Sequence, residues 1–116
     1  MKIELKELFC MEWELGKEIV LDKDHSFSVS AYIGPSNSNI SECFTVSICN
    51  IDYLETQLES NIVFNGLWHL ILINPDEDII KNYFKDKINN PKGETWESCI
   101  KELILIGESE FEDYQD

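Results

Sequence analysis

Arginine is absent from this chain of 116 residues. All nine bases are lysines, set against 23 acids, for a formal charge of −14. That balance excludes ordinary nucleic-acid binding, where affinity comes from cations placed at phosphates. Glycine is scarce, and Gly34, which precedes a proline, has no helix directly after it, so no phosphate-cradling loop is present. No apolar run approaches the roughly 20 residues of a membrane span. Met1 to Glu7 carries two acids and no apolar core, unlike a secretion signal. A cytoplasmic protein with no membrane contact is the expectation.

Other chemistry is thin as well. Cys10, Cys43, Cys49 and Cys99 show no C-x-x-C spacing and, without a secretion signal, read as four free thiols. Cys43 and Cys49 share the outer parity of one expected strand. The only histidines, His25 and His69, fall in separate segments. His69 shares parity with Leu67, Ile71 and Ile73 and reads as a hydrogen-bonded core or edge residue rather than a general base. Asn74 to Asp78 lacks the spaced oxygens, central glycine and terminal glutamate of a calcium loop. Its acids suit a helix start, where unpaired N–H groups favour negative charge. No catalytic residue, metal or cofactor is expected.

What is there is a core. Apolar residues are 43% of the chain, enough for a globular domain of ordinary size. The stretch from Ser26 to Asn50 organises it. Phe27, Val29, Ala31 and Ile33 alternate with Ser28, Ser30 and Tyr32. Phe44, Val46 and Ile48 repeat the pattern against Cys43, Thr45, Ser47 and Cys49. Period two predicts half-buried strands. The turn formers Gly34 to Asn39 between them predict an antiparallel pair. Residues 3–9 read as a first strand in which Leu8 breaks the parity of Ile3 and Leu5. Asn50 caps a short helix over about 51–60, with Ile51, Leu54 and Leu58 at helical spacing. Asn65-Gly66 reads as a tight turn with positive φ. Leu67 to Ile73, apolar on both parities apart from His69, reads as a central strand covered on both faces. Glu77 to Ile88 is amphipathic, and Thr95 caps a last helix to about Ile106, with Gly107 as its stop. The order predicts a single α+β domain over residues 1–116, an antiparallel sheet of four to five strands with helices packed on one face.

Taken in order, several segments resemble one family. They are Ile33-Gly34-Pro35, the strand Phe44 to Cys49 with its immediate helix start at Asn50, the strand Leu67 to Ile73, the helix start Thr95-Trp96, and the closing Ile106 to Tyr114. Together, over about Phe27 to Tyr114, they resemble the immunity protein 8 family of bacterial polymorphic-toxin and contact-dependent inhibition systems. Ile51 stands where a proline is expected and Ser109 where an aromatic is expected. The resemblance implies a non-enzymatic antidote that binds a cognate toxin domain in the cytosol and blocks its active site or substrate surface. Many such toxins are nucleases with basic clefts, for which an acidic protein is a sensible plug.

The expected contact surface consists of exposed acids with a few aromatic anchors. In the tail these are Glu108, Glu110, Glu112 and Asp113, held by Phe111 and Tyr114. At a helix start they are Asp76, Glu77 and Asp78. Two other readings remain open. One is a general acidic binding module or nucleic-acid mimic. The other is a small enzyme using His69 or His25 with a cysteine or carboxylate.

Overall fold

The alternation between Phe27 and Cys49 folds as its period requires. The computed structural model describes residues 2–10, 21, 23–73, 76–89 and 94–109. In it β2 (Phe27–Pro35) and β3 (Glu42–Cys49) pair antiparallel, with Val29 opposite Val46 and Ala31 opposite Phe44. These four are buried. On the other parity Ser28 faces Ser47, and the hydroxyls of Ser30 and Thr45 meet at 3.2 Å. Buried Gly34 lets the loop fold back, because a Cβ there would collide with the carbonyl oxygen of Ile40.

β1 (Ile3–Cys10) adds antiparallel to β2. Its register shifts between Leu5 and Glu7, leaving Lys6 as the extra residue of a bulge. The bulge explains the parity break: Leu5 lies opposite Ile33 before it, and Leu8 opposite Ala31 after it. Both parities of the sequence therefore serve one face.

The outer edge of β3 is shared. Ser47 to Cys49 pairs with β4 (His69–Ile71), and Phe44 and Thr45 pair with β5 (Glu108–Ser109). β4 runs parallel to β3, reached through α1 (Ile51–Ser60), since a parallel pair needs a long crossover. The other strand pairs are antiparallel, and the α+β class holds. The expected central strand over Leu67 to Ile73 is corrected. β4 is a three-residue strand at the end of the order β1-β2-β3-β4, and Leu67, Ile71 and Ile73 are exposed.

Two further helices close the core. α2 (Glu77–Ile88) buries Ile80, Phe84 and Ile88, and α3 (Trp96–Leu103) buries Cys99, Ile100 and Leu103. With the inner faces of β1, β2 and β3 they form one apolar cluster. α3 stops at Leu103, earlier than the expected Ile106. Gly107 is not its left-handed stop. It sits against β3, where a Cβ would come within 3.0 Å of that of Phe44. α1 buries no side chain fully: Leu54 is half-buried, while Ile51 and Leu58 face out.

Candidate interaction surface

The acids at the start of α2 are partly committed to the helix itself. Asp76 has extended backbone, and its carboxylate accepts from the N–H groups of Asp78 at 2.7 Å and Ile79 at 3.3 Å. Glu77 pairs with Lys81 at 3.2 Å, one turn on. Asp78 remains exposed. Glu77 also lines a cleft of about 380 Å³ against Leu5 to Leu8 of β1, with Lys6, Lys81 and Lys85 in its walls. The local field is therefore mixed rather than negative.

The tail acids are placed only in part. Glu108 is exposed in β5, opposite Thr45. It lies on the outer edge of β3, whereas the Glu77 cleft lies against β1 at the opposite edge of the sheet. Glu108 and Glu77 thus flank different edges. Glu110, Glu112 and Asp113, with Phe111 and Tyr114, lie outside the described residues.

Of the enzymatic candidates, His69, Cys49 and Cys99 have structural roles. His69 Nδ1 donates to the Leu67 carbonyl at 2.9 Å, and its ring meets Phe64 edge-on at 5.0 Å. Phe64 in turn meets Tyr53 of α1 at 6.3 Å. This aromatic chain holds α1 against β4. Cys49, though on the outer parity, is fully buried, as is Cys99. Burial pushes both thiols up from 9.0, which disfavours the nucleophilic thiolate. None of the four cysteines is joined in a disulfide. Among the described residues no group of His, Cys, Asp and Glu is arranged to hold a metal ion, and no helix is long and apolar enough to cross a membrane.

Sequence reasoning missed a surface on α1 and β4. The turn before β4 closes with the His69 N–H donating to the Gly66 carbonyl at 3.1 Å. Its left-handed residue is Trp68, at φ 58°, not the expected Asn65-Gly66 pair. The Trp68 indole N–H donates to the Ile104 carbonyl at 2.7 Å, and its own carbonyl accepts from the Ser47 N–H at 2.9 Å. The loop is thereby tied to both β3 and the end of α3. Beyond β4 the Leu72 N–H donates to the Cys49 carbonyl at 2.9 Å, which brings Leu72 and Ile73 beside Asn50 and Ile51. The signal available in the sequence was a stretch without lysine, from Asp24 to Ile80, that contains this whole unit.

No curated protein and no solved structure matches the chain significantly. The family model described as Immunity protein 8 matches residues 3–114, reaching further toward the N-terminus than the motifs that begin near Phe27. With nearly the whole fold inside that match, the chain belongs to the immunity protein 8 family.

Proposed function

We propose that this protein neutralises a cognate toxin domain in the cytoplasm by covering its active site or substrate surface, and that the toxin domain is basic, a nuclease being the fitting class. The family carries the toxin-neutralising role. The observation that carries the finer reading is the charge of −14 without a single arginine. A nuclease cleft is lined with cations meant for phosphates, and carboxylates can occupy the same positions. The long-range part of the attraction is assigned to acids of the tail and of α2. These are Glu108, Glu110, Glu112 and Asp113 in the tail, and Asp78 with its neighbours Asp76 and Glu77 at α2. Charges of this kind speed encounter and exclude wrong partners more than they hold a complex together.

Selective binding tests the reading. The C-terminal domain of the protein encoded immediately upstream is expected to co-purify with this chain in a one-to-one complex, while unrelated basic proteins of similar charge do not. Equal binding to several unrelated basic proteins would instead favour a general acidic module.

A further inference from the structure

We propose that the toxin domain docks on the outer face of α1 and the adjoining end of β4, through an apolar stripe bordered by the carboxylates of Asp52, Glu55 and Glu59. The inference rests on the neutralising role above and adds where contact is made.

On α1 the exposed residues Ile51, Asp52, Glu55, Leu58 and Glu59 fall at i, i+1, i+4, i+7 and i+8, one side of the helix. Two apolar side chains therefore run alongside three acids. The stripe continues past both ends of the helix. Ile73, 88% exposed, shares with Ile51 and Asp52 a groove of about 220 Å³. Ile62, following the C-cap, is 99% exposed. Seven of the eleven exposed large hydrophobic side chains among the described residues fall between Ile51 and Ile73. Singly exposed apolar residues are ordinary, but this concentration on one crossover unit marks an interaction face.

Charge selects the occupant. The chain has no arginine and no lysine between Lys23 and Lys81, so α1 and β4 contain no cation for Asp52, Glu55 and Glu59. The ion pairs Lys6–Glu4 and Lys81–Glu77 lie on other elements. An apolar stripe with a negative border fits a protein partner with an apolar patch in a positive surround. A second copy of this chain would bring like charges together, and an anionic lipid surface or nucleic acid would be repelled. The face is also held in one shape by the Tyr53–Phe64–His69 chain and by the Trp68 indole bond, which reduces the ordering needed on binding.

The experiment measures association and dissociation between the full chain and the upstream-encoded C-terminal domain, at about 0.05 to 0.5 M NaCl. It compares wild type, Ile73→Asp, the double change Glu55→Lys with Glu59→Lys, and Asp86→Lys on the exposed side of α2. Circular dichroism melts confirm that each variant folds. Ile73→Asp is expected to weaken binding by about ten-fold or more, mainly through faster dissociation. The double reversal is expected to weaken binding by a similar factor and to flatten the salt dependence. Asp86→Lys is expected to change affinity by less than about three-fold. Wild-type binding with both α1–β4 variants unchanged, or with Asp86→Lys equally damaging, overturns the docking face and leaves the neutralising role standing. No binding by wild type overturns both.

Discussion

Trp68 carries a sharp local conflict, the one left-handed residue other than glycine among the described residues. A left-handed backbone costs a residue with a side chain about 1–2 kcal/mol, and here a tryptophan adopts it at φ 58°. The indole bond to the Ile104 carbonyl offsets that strain and joins the α1–β4 loop to the end of α3. Trp68→Phe keeps most of the ring but removes the donor. It is expected to lower stability by about 1–2 kcal/mol, read from urea unfolding. The buried thiols give a second residue-scale outcome. In the folded chain Cys49 and Cys99 ionise above 9.0 because burial disfavours the thiolate. The unfolded chain ionises near 9.0 and is favoured once pH passes that value. Tyr83, raised from 10.0 by burial, acts in the same direction. The stabilisation from these groups is therefore complete below pH 9.0 and declines above it. The urea midpoint is expected to hold from about pH 7 to 8 and to fall toward about pH 10.5, with a shallower fall in Cys49→Ala.

At the scale of elements, α2 separates packing from capping. Phe84 is fully buried between helix and sheet, and Phe84→Ala is expected to cost about 3–5 kcal/mol. Asp76→Ala removes a cap that satisfies two N–H groups and is expected to cost about 1 kcal/mol. Urea melts of the two variants compare them directly. The same elements show what was legible in advance. β2 and β3 were readable because alternation is a local property, and Asn50 and Thr95 were readable as caps because each acts within three residues. β4 was not. An apolar run looks alike in a covered central strand and in an exposed edge strand. Here β5 occupies Phe44 and Thr45, so β4 has only Ser47 to Cys49 to pair with. The outward turn of Ile51 and Leu58 was hidden for a similar reason. Apolar residues lie on more than one side of α1, and periodicity does not say which side docks.

At the scale of the molecule, charge was the most visible property of the sequence, and its distribution the least. Asp76, Glu77 and Asp78 are a run of acids along the chain, yet in space Glu77 shares a cleft with Lys6, Lys81 and Lys85. Asp52, Glu55 and Glu59 are spaced apart in sequence but gather on one side of α1, within a stretch that contains no lysine. Only folding reveals that difference. This member of the immunity protein 8 family is proposed to protect a cell from one toxin domain. Growth rescue tests it most directly. The C-terminal domain of the upstream-encoded protein is expressed in bacteria with and without this chain, and growth is followed. Arrest is expected with the domain alone and restored growth with both, accompanied by a stable one-to-one complex. Arrest that this chain does not relieve, with no complex recovered, contradicts it.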